Sequence, residues 1–387
     1  ADENVSASEI SEKYITAYKK DFQMLGLRAQ DHNPKVTTYM PQIIEFVKTL
    51  VEKDYAYESN GDVNFSIEKF KAYGKLSGRK VDDLLEGVRI DVSEKKRSPL
   101  DFALWKNAKP GENLRGSSWA SPWGEGRPGW HIECSAMVKA LYGDQIDIHG
   151  GGLDLLFPHH ENEIAQSEAA TGTCFANYWM HVGMLQVNNE KMAKSTGNFL
   201  TIEDTLKSHH PEVIRYFLLS SHYRSPLNYT QDNLSNAQKA LARLYQALRD
   251  TPNEPKENDN LDAGWVEKFN QAMNDDFNSP VLIANLFEAV RIINSVNDGK
   301  ESITEADLNK LQTAVQTFVF DVLGLHDEGE NNNGGKALDT VMQIVLEQRA
   351  EAKKRKDFAT SDQIRDLLLA GGISIKDTKE GTVWQVE

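Results

Sequence analysis

Apolar residues recur along the first part of this chain with the period of helices. Ile10, Tyr14, Ala17, Tyr18 and Phe22 fall three and four apart and Gly26 follows, which predicts one helix with an apolar face. A second helix is predicted from Pro41, a residue suited to a first turn, with Ile44, Val47 and Val51 on its inner side. The period then shortens. Tyr55 to Tyr57 and Val63 to Ile67 flank Asn60-Gly61, a signal for a tight hairpin. Residues 68–125 lose periodicity, carry Gly and Pro throughout and include Lys95-Lys96-Arg97. They read as an insertion anchored by Phe102-Ala103-Leu104-Trp105-Lys106.

From Gly126 to about Leu200 the pattern alternates. A helix is predicted from His131, a strand around Ile146 to His149, a helix from Pro158 and a strand near Trp179 to Met184. Strands alternating with helices imply an α/β fold with a parallel sheet and ligands at the carboxyl ends of its strands. Residues 203–250 read as helical. The polar, proline-bearing run 251–260 then marks a boundary. Beyond it Phe269 and Met273, then Ile283, Leu286, Phe287, Val290 and Ile293, form the stripes of a helical bundle. Residues 327–336 are a second linker, and the last segment reads as two helices and a hairpin, a small α+β unit ending near Trp384.

Composition narrows the class. With 387 residues, 40% hydrophobic and 26% charged, the chain suits a globular protein of two or three domains. No run reaches the ~20 apolar residues of a membrane span, and no charged-then-apolar leader opens the chain, so no membrane partner and no secretion are expected. The two cysteines, Cys134 and Cys174, cannot build a disulfide framework. In a reducing compartment they stay thiols, and Cys174, among apolar and aromatic neighbours, is expected to be buried and inert. A net charge of −15 opposes long-range attraction to nucleic acid. Lys353-Lys354-Arg355-Lys356, which Arg349 and Arg365 extend on a helix, is a local exception, although such a run is ordinarily a solvated face.

Chemistry concentrates between Gly126 and Gln166. Cys134 offers a thiolate, and His159 and Glu163, four apart, share one face of a helix. Zinc accepts sulfur, imidazole nitrogen and carboxylate oxygen together, and three ligands leave a position for a substrate atom. His160 and Glu161 are rivals for these roles, and spacing alone does not choose between them. Gly150-Gly151-Gly152 follow a strand, where backbone N–H groups can approach phosphate. His149 and Gly151 are therefore candidate contacts for a phosphate or a planar base. Lys191 and Lys194 stand beside Ser195, Thr196 and Gly197 in a segment polar and glycine-bearing enough to move; such pairs are usually solvated charges, and flexible ammonium groups can also stabilise charge on phosphate.

The motifs GRPGWHIECSAM, HGGGLDLLFPHHENEIAQSEA and KMAKSTGNF together resemble cysteinyl-tRNA synthetases, the class I ligases that join cysteine to its tRNA. The resemblance implies a Rossmann-like catalytic domain over residues 1–200 with a connective insertion at about 68–125. It further implies a stem-contact helical region at 201–250, a helical bundle at 261–326 and an anticodon-binding domain at 337–387. It makes Cys134, His159 and Glu163 three of four zinc ligands, and places Trp130 and Asp154 in the amino-acid pocket. Lys191 to Ser195 match the KMSKS loop with Ala193 replacing its first serine, so that Lys194 contacts ATP with Lys191 as its partner. It also makes ATP the ligand expected at His149 and Gly151. Zn2+, ATP with Mg2+, L-cysteine and tRNA(Cys) are the implied cofactor, substrates and partner, in a cytoplasmic monomer. The family's fourth ligand and its His-x-Gly-His signature have no counterpart here. His181-Val182-Gly183-Met184 is only superficially similar, and the chain is expected to lack the family's N-terminal segment.

Three other activities are compatible with some of these residues. A ligase joining cysteine to an amino sugar needs no C-terminal RNA reader. A zinc hydrolase using Glu161 or Glu163 as base leaves the KMAKS loop without a role. The third is a catalytically incomplete tRNA-binding fragment.

Overall fold

The computed structural model describes residues 5–81, 83, 96–109, 112, 117–193, 197–249, 264–327, 333–378 and 381–386. The chain divides into two units, Ala1–Leu323 and Gly324–Glu387.

The first unit opens with α1 (Ala7–Met24), started by a reciprocal capping box between Ser6 and Glu9. Its period is the expected one, yet it buries none of its residues, and Tyr14 and Tyr18 are exposed. In α2 (Met40–Glu52), with proline in the first turn, Ile43, Phe46, Val47 and Leu50 are buried. The expected hairpin follows as β1 (Ala56–Ser59) and β2 (Asp62–Phe65), turning through Asn60 and Gly61, both at positive φ.

The apolar run expected only to anchor an insertion is a full strand, β3 (Phe102–Asn107). It lies between β2 and β4 (Gly126–Pro128) in a four-stranded antiparallel sheet. Leu104 and Trp105, successive on β3 and so on its opposite faces, are both fully buried, in one core with Val63 and Phe65 of β2 and the buried residues of α2. Each such side chain taken from water contributes about 1.5–3 kcal/mol. The same core includes Ile132 and Ala136 of α3 (Trp130–Tyr142) and Ala165 and Ala169 of α4 (Glu161–Thr171). Both helices that carry the candidate ligands are therefore set against one hydrophobic core.

The α/β part is the parallel pair β5 (Ile146–Gly152) and β6 (Ala176–Val182), with α4 as the crossover. Gly172, left-handed at φ 76°, ends α4. Next come β7 (Leu185–Val187) and β8 (Glu190–Lys191), an antiparallel pair, then α5 (Ile202–Leu206) and α6 (Pro211–Leu219). β9 (Leu227–Tyr229) pairs in parallel with β7. α7 (Gln231–Arg249), α8 (Trp265–Asn274), α9 (Ser279–Asn297) and α10 (Glu305–Val315) form the helical part, with Phe269, Leu282, Leu286 and Ile293 buried. α9 is long and apolar enough to span a bilayer, but its buried stripe is part of this core.

In the second unit, α11 (Asn333–Lys354) and α12 (Phe358–Ala370) precede an antiparallel hairpin of β10 (Ile373–Thr378) and β11 (Gly381–Val386). Trp384 sits opposite Ile375 and is half-buried. The basic run is narrower than its sequence suggests. Arg349 is buried, and Arg365 is paired with Asp362 and Asp366, each at 3.0 Å.

Candidate metal and amino-acid site

The site is built where α3 and α4 leave the sheets. Gly129 caps α3, and its N–H donates to the Leu104 carbonyl at 2.8 Å. A side chain at Gly129 would overlap the Ala103 carbonyl oxygen, so only glycine lets the helix start this close to β3. The first turn then presents Trp130, His131 and Cys134. From the other side, the chain passes through Leu156–His160, which delivers His159, and enters α4, which delivers Glu163.

α4 is unusual in being buried on nearly all sides while carrying polar residues: Glu161, Asn162, Glu163, Gln166 and Ser167 are all buried. Partners explain how much of this is tolerated, although Gln166 Nε2 and Ser167 Oγ are buried without one. Glu161 accepts the backbone N–H groups of Gly74 (2.9 Å), Ser77 (2.8 Å) and Leu76 (3.5 Å), Asn162 accepts the Tyr73 hydroxyl at 2.6 Å, and Gln166 accepts the Ser135 hydroxyl at 2.7 Å. Glu161, a rival base or ligand on spacing, is committed to holding the 74–77 turn.

Glu163 is different. It is fully buried, and its Oε2 lies 3.1 Å from His149 Nε2, 3.5 Å from His159 Nε2 and 3.8 Å from His160 Nε2. Its Oε1 is buried and has no hydrogen-bond partner. The donor atoms of Cys134, His159 and Glu163 lie within 4.8 Å of one another. A tetrahedral zinc ion with bonds of about 2.0–2.3 Å fits among ligands so spaced, and an orphaned buried carboxylate oxygen is what such an ion would satisfy. A second group, His149, His160 and Glu163, meets the same spacing and shares the carboxylate.

His131, His159 and His160 are held neutral. Burial lowers the pKa of His131 to about 4 and that of His160 to about 3, neighbouring rings adding to the effect, and it lowers that of His159 despite the opposing pull of Glu163. A neutral ring keeps a lone pair for a metal. His131 Nδ1 and His159 Nδ1 share a proton at 2.8 Å, which leaves His159 Nε2 facing Glu163. His160 Nδ1 meets His181 Nε2 at 2.9 Å. Without a cation the Cys134 thiol is pushed up to about 12, first by burial and then by the charges of Glu163 and Glu133, so a thiolate there calls for a positive partner.

Trp130 lies over His159 with ring centroids 4.5 Å apart and is largely exposed, a lid on the open side of the site. Asp154 is also exposed, in the turn Leu153–Leu155, and a side chain at Gly152 would overlap its Oδ1. At Gly151 a Cβ would come within 2.9 Å of His160 Cε1, so this glycine makes room for an imidazole. His149, read from the sequence as facing nucleotide, directs Nε2 at Glu163.

Residues 1–239 match the family described as tRNA synthetases class I (C) catalytic domain, and residues 268–327 match the DALR domain. The chain belongs to the class I cysteinyl-tRNA synthetases. It is 51% identical over 390 residues to a cysteine–tRNA ligase of Legionella pneumophila (strain Corby), covering 100% of this chain and 82% of that protein. A cysteine–tRNA ligase of Alkalilimnicola ehrlichii is 48% identical over 98% of this chain and 81% of its own length. The methionyl-tRNA synthetase of Mycobacterium tuberculosis, solved with methionyl-adenylate, superposes with a TM-score of 0.53 over 82% of this chain and 77% of that one. At 14% identity that likeness is one of fold.

The synthetase's lysine loop leaves β8. Lys191 is exposed and pairs with Gln186 of β7. Asn198 closes the loop, its Nδ2 donating to the Lys191 carbonyl at 3.1 Å and its Oδ1 accepting Ala193 N–H at 2.9 Å. Lys194, Ser195 and Thr196 lie outside the described residues. Sequence reasoning missed Asn198 and the roles of His131 and His181, although each lies within or near a motif it had singled out. Cys174, expected to be buried, is exposed, because it lies in the turn between α4 and β6.

Proposed function

We propose that this cysteinyl-tRNA synthetase activates L-cysteine with ATP to cysteinyl-adenylate, transfers it to tRNA(Cys), and uses a zinc ion to choose the thiol, acting as a cytoplasmic monomer. One observation carries the reading: the donor atoms of Cys134, His159 and Glu163, three unlike side chains, lie within 4.8 Å of one another, and the second oxygen of the Glu163 carboxylate is buried without a partner.

Serine differs from cysteine by one atom, and shape alone discriminates such near-isosteres poorly. Zinc, when bound, supplies a Lewis acid that prefers thiolate to alcohol. The chain's own residues do the rest. His131 fixes the ring of His159, His149 engages one oxygen of Glu163 and leaves the other for the ion, and Trp130 shields the site from water. Asp154 is the anchor proposed for the ammonium group of the substrate. Attack of the cysteine carboxylate on the α-phosphate expels pyrophosphate, whose charge Lys191 and Lys194 neutralise.

Cysteine-dependent ATP–pyrophosphate exchange tests the reading, with bound metal measured by atomic emission on the same sample. We expect exchange with cysteine, far less with serine, and one zinc per chain. Exchange that ignores the amino acid, or a protein prepared with zinc that carries none, refutes it.

A further inference from the structure

Between α8 and α9 the chain turns through Asp275, Asp276, Phe277 and Asn278. Asp276 and Phe277 both have positive φ, 54° and 55°, a region that side chains other than asparagine and aspartate seldom enter and that is a marked outlier for phenylalanine. Glycine or asparagine would turn a chain there with less strain. The turn persists because its surroundings over-determine it. Phe277 N–H donates to the Met273 carbonyl at 3.1 Å, Asn278 N–H to the Ala272 carbonyl at 3.0 Å, and Asn278 Nδ2 to Asp275 Oδ2 at 3.1 Å. Strain held in place this way points to a task for the residues that bear it.

The strained backbone aims one carboxylate at residues 222–224. Arg224 grips Asp276 with two prongs, Nε to Oδ2 at 2.5 Å and Nη2 to Oδ1 at 3.2 Å. Tyr223 donates its hydroxyl to Oδ1 at 2.7 Å, and His222 Nε2 lies 3.8 Å from Oδ2. The segment so held is a template for catalytic strands. The Tyr223 carbonyl accepts Gly183 N–H at 2.7 Å, and a side chain at Gly183 would overlap the Ser225 carbonyl. Leu227 N–H donates to the Met184 carbonyl at 3.1 Å, and β9 then pairs in register with β7, the strand on which Lys191 is hydrogen-bonded through Gln186. On the other side of Gly183, β6 ends just after His181, the partner of His160.

We infer that Asp276, contributed by the DALR domain, is a positioning residue for the reaction: it seats residues 222–229 so that the Lys191 hairpin keeps its place, and thereby makes adenylate formation depend on how the helical domain is docked. The kinetic part of this inference rests on the proposed function. The pair is solvent-accessible, so its role is one of register, and its removal should shift the melting temperature by no more than about 2 °C.

The test uses Asp276→Asn and Arg224→Ala, singly and together, in the full protein. Each single variant should lower the turnover of cysteine-dependent pyrophosphate exchange about tenfold while the KM for cysteine and the zinc content stay within about twofold, and the double variant should lose no more than either single one. Amide hydrogen exchange in residues 183–191 should quicken about tenfold, with α9 unchanged. Unchanged exchange of residues 183–191 overturns the inference, as does turnover equal to the parent's. An equal loss of turnover, zinc and cysteine affinity also overturns it, since that is the mark of a merely structural contact. If the parent protein shows no cysteine-dependent exchange, the proposed function falls, and the hydrogen-exchange result still decides whether Asp276 holds the strands.

Discussion

His149 Nε2 meets Glu163 Oε2 at 3.1 Å across the gap between β5 and α4, while Oε1 of the same carboxylate is buried without a partner. One half of the side chain is thus fixed by the protein and the other half is left for something else. Glu163→Gln keeps the volume but replaces the anionic oxygen pair. It should weaken zinc binding by about tenfold to a hundredfold, read by competition with a chromophoric chelator. Affinity equal to the parent's would place the ion elsewhere.

In the proposed site Cys134 is the soft ligand. Cys134→Ser should lower both the zinc content and the affinity for cysteine, and should narrow the preference for cysteine over serine. Elemental analysis and amino-acid competition in the exchange assay check this together. Full zinc occupancy in the Cys134→Ser variant would remove this thiol from the coordination sphere.

In the proposed reaction the two lysines act on the chemical step and not on recognition of the amino acid. Lys191→Ala and Lys194→Ala should each slow adenylate formation by about tenfold to a thousandfold, with little change in cysteine binding, because the charge they meet develops only as pyrophosphate departs. Single-turnover kinetics set against equilibrium binding of cysteine gives the comparison, and parallel losses in both would assign the lysines a structural part instead.

Glu161 belongs to the fold. Its carboxylate accepts N–H groups from Gly74, Ser77 and Leu76 in a fully buried setting. Glu161→Ala strands those donors and should cost about 2–4 kcal/mol, visible as a lower first melting transition, with Glu161→Gln milder because it keeps one acceptor oxygen. A melting curve superimposable on the parent's would mean that the 74–77 turn rearranges to satisfy itself.

Local signals carried much of the architecture. Asn60-Gly61 marks the β1–β2 turn, and the four-residue step from His159 to Glu163 puts both donors on one side of a helix. What spacing could not separate was Glu161 from Glu163, since both are buried acidic residues two positions apart. The difference lies in a distant turn at 74–77 that claims one of them. The pairing of His131 with His159 was hidden for the same reason, joining residues 28 apart in the chain. β3 reads as a mere anchor because its neighbours in sequence are polar, whereas its partners in space, β2 and β4, lie beyond long intervening stretches of chain. The apolar face of α1 misled in the opposite sense: periodicity reports that a face exists, and burial requires something to cover it.

The contact of Gly129 with β3 reaches beyond local packing. Since no atom fits between the start of α3 and the Ala103 carbonyl, the helix bearing the thiol takes its origin from a strand that lies more than twenty residues earlier in the chain. Chimaeras that exchange the intervening stretch between related enzymes would therefore disturb the support of the proposed amino-acid site, and crossover points outside both residues are the ones that should preserve substrate choice.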